Sequence, residues 1–382
     1  SRGLGDVYKR QVVVMSGSTN VTIKGDLAVG AGNPHIARDF QYGIYVNHSY
    51  NVSIWNITMQ GVDKVDAIVI NETQGFQIKN TTLGEESGSK QLYITGSENG
   101  VIENVTSGPP TRTGVLISNS TFVRFSRFIY DMHVSGILFD VQNSNHTTFD
   151  NLILTNTSAG TSAHGVTATH IRLKDSSWCN ITHSRFVNAT TVLSMSNANA
   201  TRILNSNLTS SNQTTIYLSA SHNVSIAASR LNATNETAYL SLFAIDSTFL
   251  NLSVLKSGAM QITRCPNATI TDLIASSGRE LLLVNNSHNA SITYSSFSGA
   301  SNNALILNYS NHSILKNVSC SSTADCFYLN NAYNATLRNL TATNAVISTG
   351  RALFALSSDR LSIANSSLSV DGGSSGISIN NS

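Results

Sequence analysis

The stretch GIYVNHSYNVSI, from Gly43 to Ile54, decides the fold because its pattern returns along the chain. Two apolar residues alternate with polar ones, a short turn rich in Ser, Asn or His follows, and Asn-x-Ser/Thr-Ile closes the unit. Further copies are TIYLSASHNVSI ending at Ile226, AMQITRCPNATI ending at Ile270, LLLVNNSHNASI ending at Ile292 and LILNYSNHSI ending at Ile314. Self-similarity at intervals of roughly 20 to 32 residues is typical of a solenoid.

The last apolar residue of each copy can be used as an anchor to count the repeats. About fifteen anchors follow one another at this spacing: Ile23, Ile54, Ile78, Ile102, Val123, Phe149, Ile181, Ile203, Ile226, Leu250, Ile270, Ile292, Ile314, Leu337 and Ile363. Because a single unit cannot bury its own apolar face, neighbouring copies are expected to stack on each other.

Within each copy the apolar residues follow the period of two that marks a strand, as at Ile44 and Val46 or at Ile68 and Ile70. A further apolar position a few residues after the anchor indicates another strand: Met59, Leu83, Phe128, Leu154, Phe186, Leu208, Leu231 and Phe297. The pattern predicts three strands per coil. It excludes a leucine-rich repeat, because no segment shows the 3.6-residue period of a helical arm.

Three strands per coil and strand starts of the Asn-Val-Ser-Ile type resemble the right-handed parallel β-helix of the pectin-lyase-like superfamily, over nearly the whole chain. The resemblance implies an all-β solenoid of about fifteen three-stranded coils. It also implies an asparagine ladder at the tight second turn, two residues past the anchor, formed by Asn56, Asn80, Asn104, Asn151, Asn205, Asn339 and Asn365. Asparagine suits this place because it tolerates the left-handed turn conformation.

Composition restricts the class of protein further. The 382 residues carry a formal net charge of +2, and only 12% of them are charged, which argues against a nucleic-acid partner. No window reaches the length of apolar sequence that a membrane-spanning helix needs, so no membrane span is expected. Residues 1–11 differ in composition from the rest and are interpreted as an adapter-derived segment outside the fold. Residues 12–382 are expected to form one β-helix domain, truncated at both ends.

The chain contains 29 Asn-x-Ser/Thr sequons, a large excess that permits two interpretations. The sequons can be glycosylation sites of a secreted glycoprotein, or they can follow from a repeat that uses Asn in turns and Ser or Thr at strand edges. The second-turn asparagines are expected to turn inward and to be poor acceptors. Exposed acceptors are predicted in the first turn, at Asn47, Asn223, Asn289 and Asn311.

The four cysteines lack the spacing of a metal site, so no metal is predicted. Cys179 and Cys265 lie about four coils apart, too far for a disulfide, and are interpreted as small buried residues. Cys320 and Cys326 flank one connection and could form a disulfide, which would suit an oxidising compartment.

In the superfamily that the chain resembles, ligands lie over the first strand of each coil. The outward residue of that strand is taken as the one nine before each anchor: Tyr45, Val69, Tyr93, Gly114, Asp140, Arg172, Ser194, Tyr217, Ser241, Gln261, Leu283, Leu305, Tyr328 and Phe354. Aromatic faces stack on sugar rings, so Tyr45, Tyr93, Tyr217 and Tyr328 are candidates for binding a glycan. The alternative is an ordinary sheet face made of strand-forming residues.

Polar residues concentrate at the middle of this column. Asp140 and Arg172 are expected on successive coils, with His170 and Lys174 pointing outward beside Arg172. As catalytic candidates, Arg172 or Lys174 would hold a uronate carboxylate and His170 would act as acid or base. The alternative is a surface Asp–Arg pair. Glycoside hydrolysis is disfavoured, because it needs two carboxyl groups and the column offers one.

Two hypotheses from different classes follow. The first is a secreted or cell-surface β-helix protein with a structural, adhesive or glycan-binding role, whose partner is a polysaccharide or surface glycan. The second is a polysaccharide lyase or epimerase acting on a uronate-containing glycan through the middle coils. No cofactor is predicted, and calcium would be needed only by the lyase.

Overall fold

A computed structural model describes residues 13–30, 42–60, 66–84, 90–108, 113–132, 136–156, 168–211, 213–233, 240–323, 325–344, 350–370 and 376–380. The adapter-like segment 1–11 therefore lies outside the described residues. The chain divides into two compact units, unit 1 from Ser1 to Ser194 and unit 2 from Met195 to Ser382. Every regular element in the described ranges is a β-strand, and no helix in them is long and apolar enough to cross a membrane.

The strands of unit 1 are short, and they alternate with turns of a few residues. In chain order they are β1 Val13–Ser16, β2 Thr19–Gly30, β3 Tyr42–Asn47, β4 Tyr50–Gln60, β5 Asp66–Asn71, β6 Gln74–Leu83, β7 Leu92–Thr95, β8 Glu98–Ser107, β9 Thr113–Ser118, β10 Thr121–Met132, β11 Gly136–Gln142, β12 Thr148–Asp150, β13 Ile153–Asn156, β14 Ala168–Lys174, β15 Asn180–Thr182 and β16 Arg185–Ala189, with β17 Thr191–Ser196 at the unit boundary.

Unit 2 continues with strands of the same kind. They are β18 Arg202–Leu204, β19 Asn207–Ser210, β20 Ile216–Ser219, β21 Ser225–Ala233, β22 Leu242–Ile245, β23 Asn251–Ser257, β24 Met260–Thr263, β25 Thr269–Gly278, β26 Leu282–Asn285, β27 Ser291–Thr293, β28 Ser296–Ala300, β29 Leu305–Asn308, β30 Ile314–Lys316, β31 Ser319–Ser322, β32 Phe327–Asn330, β33 Thr336–Arg338, β34 Thr341–Asn344, β35 Leu353–Leu356, β36 Ser362–Ala364, β37 Ser367–Val370 and β38 Ile377–Asn380.

Each strand pairs in parallel with its equivalent one coil along, which defines a parallel β-solenoid. In unit 1 the first strands of the coils form the sheet order β1-β3-β5-β7-β9-β11-β14, and in unit 2 the order is β20-β22-β24-β26-β29-β32-β35-β38. The predicted all-β class is therefore confirmed. The predicted number of about fifteen coils is somewhat higher than the about 12 turns of the solenoid.

The core is filled by the residues that the period of two selects. Ile44, Val46, Ile68 and Ile70 are fully buried, as are the third-strand positions from Met59 to Phe297 that the sequence predicted. Burial of one such side chain contributes about 1.5 to 3 kcal/mol. The solenoid is thus stabilised by apolar columns that run from coil to coil.

Three anchors were placed wrongly. The pairing register puts Phe125, Leu252 and Leu315 in the anchor column, in place of Val123, Leu250 and Ile314. Val123 and Leu250 are also buried, so the apolar pattern did not distinguish them from the true anchors, whereas Ile314 is 43% exposed. With the corrected anchors, the outward column residue of the first sheet lies nine residues before the anchor in each of these coils.

The first turn of most coils is fixed by a buried hydroxyl ladder that the sequence did not reveal. The backbone N–H of Ser97 donates to Ser120 Oγ at 3.1 Å, and the N–H of Ser120 donates to Ser144 Oγ at 3.1 Å. Each hydroxyl in turn donates to the carbonyl two residues earlier, as Ser144 does to Gln142 O at 2.8 Å. In unit 2 the N–H of Ser287 donates to Ser310 Oγ in the same way. These bonds satisfy turn donors that the sheet ladder leaves free.

The second turn holds its asparagines in the left-handed conformation, as the sequence predicted. The seven second-turn asparagines have φ between 49° and 55°. The expectation that they turn inward is wrong, since all seven are exposed. Their amides point outward and can bond along the solenoid, as Asn104 Nδ2 donates to Asn80 Oδ1 at 2.7 Å.

Candidate functional site

The candidate site is the outward face of the first sheet. The register of unit 1 places Tyr45, Val69, Tyr93, Leu116, Asp140 and Arg172 in one column. The register of unit 2 places Tyr217, Phe243, Gln261, Leu283, Ile306, Tyr328 and Phe354 in the equivalent column. All four predicted tyrosines therefore belong to the column, two in each unit.

The predicted column contained three errors, each of which follows from a misplaced anchor. Leu116, Phe243 and Ile306 take the places assigned to Gly114, Ser241 and Leu305. Phe243 matters most, because it adds an aromatic ring directly beside Tyr217. The distance of nine residues to a correctly registered anchor could have found it.

Aromatic rings meet in pairs on the face of unit 2. The ring centroids of Tyr217 and Phe243 lie 5.6 Å apart, and those of Tyr328 and Phe354 lie 5.3 Å apart. Tyr217 is 37% exposed, and Phe243 and Tyr328 are half-buried. Each ring therefore exposes part of its apolar surface to solvent and packs with another part against the ring of the neighbouring coil.

A cation covers the last ring of this column. The Arg351 guanidinium lies 3.5 Å from the ring centroid of Phe354, and Asp325 holds it through two hydrogen bonds of 3.0 and 3.2 Å. Phe354 is consequently only 9% exposed. In this second pair Tyr328 therefore provides the open ring face.

In unit 1 the column contains two tyrosines and one ion pair. Tyr93 has the Lys90 ammonium 4.8 Å from its ring centroid, and Lys90 in turn lies 3.8 Å from the Asp66 carboxylate. Tyr45 and Tyr93 are separated by Val69, which is only 2% exposed. The two tyrosines of unit 1 are thus half-buried and do not lie in adjacent coils.

Asp140 and Arg172 pair directly across successive coils, as the sequence predicted. Arg172 Nε donates to Asp140 Oδ1 at 2.9 Å, a second guanidinium nitrogen binds Oδ2, and Gln142 Nε2 also donates to Oδ2 at 2.7 Å. The hydrogen bond to Asp140 raises the pKa of Arg172. Asp140 is 4% exposed, so its carboxylate is occupied by the protein's own donors and is not open to a ligand.

His170 was expected to point outward, and this expectation is wrong. Its side chain is fully buried, 6.0 Å from the ring of Phe186, and neither ring nitrogen has a hydrogen-bond partner among the described residues. The residue that precedes the alternating part of a first strand lies at a corner and faces the core, as Ala67 and Leu138 also do. Burial lowers the pKa of His170 to about 3.

Of the other residues predicted near the middle coils, Lys174 is exposed at the end of β14. The structure therefore brings Asp140 and Arg172 together, leaves Lys174 at the surface and separates His170 from all of them.

The cysteines occupy the places that the sequence suggested. Cys320 and Cys326 are bonded as a disulfide with their Cα atoms 5.8 Å apart. Cys179 and Cys265 are free and buried, and burial raises their pKa values to about 12 and about 11. Both thiols therefore stay protonated near neutral pH.

The predicted glycan acceptors differ in their surroundings. Asn223 and Asn289 are exposed, whereas Asn47 and Asn311 are half-buried. Asn289 Nδ2 donates to Asn267 Oδ1 at 3.3 Å, and Asn47 Oδ1 accepts from Asn71 Nδ2 at 2.6 Å. Asn223 is exposed, and within the described ranges its side chain makes no such bond to another asparagine.

Comparison with known proteins supports the fold. A family model described as periplasmic copper-binding protein (NosD) matches residues 56–242, somewhat under half of the chain. The tailspike protein of E. coli bacteriophage HK620 in complex with pentasaccharide is similar, with a TM-score of 0.54 and 9% identity, over 94% of this chain and 71% of the tailspike. The Dettilon tailspike protein (gp208) has a TM-score of 0.53 and 9% identity, over 74% of this chain and 62% of that tailspike.

This chain thus spans less than two thirds of the Dettilon tailspike. Among curated proteins none matches significantly. The parallel pairing, the family match and these likenesses together define a class, the β-solenoids. Within it, the parallel pairing makes the fold a parallel β-helix, consistent with the resemblance to the pectin-lyase-like superfamily.

The name of the matched family raises the question whether the described residues could bind copper. Copper sites need converging thiolate, thioether or imidazole ligands. In the described ranges no three His, Cys, Asp or Glu side chains lie close enough together to hold a metal ion. Cys179 is a buried, protonated thiol and His170 is buried among apolar side chains. The described residues therefore do not fit a copper site.

Proposed function

We propose that the chain is a glycan-binding β-helix protein whose main binding surface is the outward face of the first sheet in unit 2. The observation that carries the proposal is the pair Tyr217 and Phe243 in adjacent coils, matched further along the same column by Tyr328 and its partner Phe354. Aromatic rings bind the apolar face of a sugar while water still reaches the sugar's hydroxyl groups.

The spacing of the two pairs suits an oligosaccharide better than a single sugar. Phe243 and Tyr328 are four coils apart in the register, and adjacent coils are about 4.8 Å apart, so the pairs lie roughly 19 Å from each other. Gln261 lies between them and can donate and accept hydrogen bonds from hydroxyl groups. A chain of several sugar units would span both pairs.

A protein of similar structure supports the same class of ligand. The HK620 tailspike, which shares this fold at 9% identity, is described in complex with a pentasaccharide. We place the protein outside the cytoplasm, because the Cys320–Cys326 disulfide suits an oxidising compartment and the matched family is described as periplasmic. A surface location would also serve the structural or adhesive role that the sequence suggested.

Binding variants test the proposal. We expect Tyr217→Ala combined with Phe243→Ala to weaken binding of a soluble polysaccharide at least tenfold, measured by calorimetry over a panel of neutral and acidic glycans. Tyr294→Ala is the matched control, because Tyr294 is 59% exposed and lies outside the column. Equal affinity in all three proteins for every glycan that binds would contradict the proposed surface, and binding of none would contradict the function.

We do not extend the proposal to a lyase or an epimerase. Of the four catalytic candidates only Arg172 and Lys174 reach solvent, and the first is bonded to Asp140. An acid or base must reach the proton that it transfers, which His170 cannot do from the core. Depolymerisation of polygalacturonate with appearance of unsaturated product, abolished in Arg172→Gln, would restore the enzymatic hypothesis.

For glycosylation we propose Asn223 as the best acceptor among the predicted four. It is exposed in the first turn at a sequon, Asn-Val-Ser, and within the described ranges its Nδ2 donates to no asparagine. Peptide mass spectrometry after secretion from a glycosylating host should find more glycan on Asn223 than on Asn47. The reverse order would show that exposure does not govern acceptor choice here.

A further inference from the structure

Away from the first sheet, three aromatic rings form an exposed stack on the first turn of unit 1. The rings of Phe122 and His146 lie 4.6 Å apart at an interplanar angle of 7°, and those of His146 and Trp178 lie 6.0 Å apart at 10°. Phe122 is 53% exposed and Trp178 is 57% exposed. We call these three residues the aromatic ridge.

The ridge residues occupy equivalent places in successive coils. The N–H of Phe122 donates to Asn145 O at 3.2 Å, and the N–H of His146 donates to Ser177 O at 2.9 Å. His146 and Trp178 directly follow Asn145 and Ser177, whose carbonyls accept these bonds. The three rings therefore occupy the same place in successive coils, and the stack runs along the solenoid. The first-sheet column lies on a different face, because these residues belong to the turn between the first and second strands.

Stability does not account for aromatic residues at this place. Phe122, His146 and Trp178 have φ of 56°, 56° and 59°, a left-handed conformation that is unfavourable for a bulky L-residue. Asparagine, which tolerates this conformation, is the commonest residue at the same place in other coils: Asn20, Asn51 and Asn99 in unit 1, and Asn223, Asn267, Asn289 and Asn334 in unit 2.

The gain from burial is small, because the two outer rings remain more than half exposed. Stacking between the rings at most offsets the unfavourable backbone conformation. Strained positions that cluster in space are typical of sites that bind or react. At the ridge, bulky residues in the left-handed conformation coincide with exposed apolar surface.

The free face of Phe122 shows what such a site would bind. On one side Phe122 stacks on His146, and on the other side the equivalent place of the preceding coil is Asn99, which has no ring. Glu98 and Asn99 are both exposed, and in the described part of the chain their side chains make no hydrogen bond or ion pair. An apolar ring face thus lies beside a carboxylate and an amide that are free to bind hydroxyl groups.

We propose that the aromatic ridge is a second saccharide-binding site, in which a neutral pyranose stacks on the free face of Phe122 and its hydroxyl groups bind Glu98 and Asn99. The sugar ring would continue the stack by one coil. The carboxylate of Glu98 disfavours acidic sugars, and the nearest exposed cation on the same strand, Arg124, is directed to Asp150 of the following coil at 3.4 Å. The ridge does not depend on the first-sheet surface and can exist without it.

The test separates the two surfaces. Saturation-transfer NMR would measure binding of cellotriose, maltotriose and chitotriose, with tri-galacturonate as the acidic counterpart, to a protein that carries Tyr217→Ala and Phe243→Ala. We expect at least one neutral trisaccharide to bind this protein and tri-galacturonate to be excluded from the ridge. Adding Phe122→Asn should weaken that binding at least tenfold.

The chain provides a matched control. Phe249 has a φ of 53° and is 60% exposed at the equivalent place of unit 2, and the described residues give it no ring partner, so Phe249→Asn should leave binding unchanged. Asparagine is native to this place in other coils, so both variants should fold, with melting temperatures equal to or above that of the parent.

Three results would overturn the proposal. The first is that no neutral trisaccharide binds the first-sheet variant. The second is that Phe122→Asn binds as well as its parent. The third is that sedimentation shows the ridge to mediate self-association, lost in Phe122→Asn, without saccharide binding. If the first-sheet variant loses saccharide binding while Phe122→Asn in the otherwise unchanged protein binds saccharide fully, the ridge site is refuted and the main surface is supported.

Discussion

At the scale of single residues, Ser144 shows how one hydroxyl supports two coils. It accepts the N–H of Ser120 at 3.1 Å and donates to Gln142 O at 2.8 Å, and its side chain is fully buried. Ser144→Ala would leave the Ser120 N–H buried without a partner, which costs about 1 to 3 kcal/mol. Urea unfolding should show this loss.

Ser144→Thr should retain the stability, because Thr73 occupies the equivalent ladder place and donates to Asn71 O at 2.9 Å. Ser126→Ala, on a partly exposed outward position, is the control for the loss of a hydroxyl. If Ser144→Ala and Ser126→Ala cost the same, the ladder does not stabilise the turn.

His170 predicts a dependence of stability on pH. Burial lowers its pKa to about 3, against about 6.5 in the unfolded chain. Between these values the unfolded state binds more protons, so the stability is fully present above pH 6.5 and falls as the pH is lowered towards 3. The loss is about 1.4 kcal/mol per pH unit, and about 4 to 5 kcal/mol in all.

His170→Leu should remove this dependence, because leucine fills a similar volume and has no group to protonate. Urea unfolding at several pH values between 4 and 7 would measure the slope. His288→Gln is the control, since His288 is exposed. An unchanged slope in His170→Leu would mean that carboxylates elsewhere govern the acid response.

At the scale of strands and coils, the sequence predicted the repeat and the alternation, and it failed where the period of two changes. His170 was expected outside because the alternation was extended one residue too far, to the corner where β14 begins. Val123 and Phe125 are both buried, so hydrophobicity alone could not fix the register, and the slip moved the candidate column from Leu116 to Gly114. Phe243 was missed for the same reason.

The hydroxyl ladder could not be read from sequence, because a buried serine and an exposed serine in a Ser-rich turn look alike. The tyrosine positions, by contrast, were predictable, since Tyr45, Tyr93, Tyr217 and Tyr328 lie at a constant distance from correctly placed anchors. Contacts such as Arg351 on Phe354 depend on side-chain packing across coils, which spacing along the chain does not encode.

The Asp140–Arg172 pair joins two adjacent strands of the first sheet, β11 and β14, and its energetics differ from those of a surface pair. Asp140 is 4% exposed and relies on Arg172 and Gln142 for its hydrogen bonds. Removing one partner of a buried pair leaves an uncompensated charge, so Arg172→Leu should destabilise the protein by about 3 kcal/mol.

Asp140→Leu together with Arg172→Leu should recover most of this loss, because it removes both charges and the neighbouring column residue Leu116 is apolar. Thermal and urea unfolding of the single and double variants form the measurement. A loss below about 1 kcal/mol in Arg172→Leu would instead show an ordinary exposed pair.

At the scale of the whole molecule, each coil contacts its neighbours in the stack, so the effect of a core substitution should stay local. In such a solenoid the stability is close to a sum of coil and nearest-neighbour contributions. The cluster around Phe139 in unit 1 provides a test, since its ring lies 5.2 Å from those of Phe125 and Phe128 and 5.3 Å from that of Phe149.

Phe139→Ala should cost about 3 to 5 kcal/mol by opening a cavity in the core of unit 1. Hydrogen exchange followed by mass spectrometry should then show faster exchange in β9, β11 and β14, with unit 2 unchanged, because local opening draws only on nearby coils. Phe327→Ala, which removes a fully buried ring of unit 2, should give the reverse pattern. Equal acceleration across both units in either variant would mean that the chain unfolds as one cooperative body, and nearest-neighbour stacking would then not describe its stability.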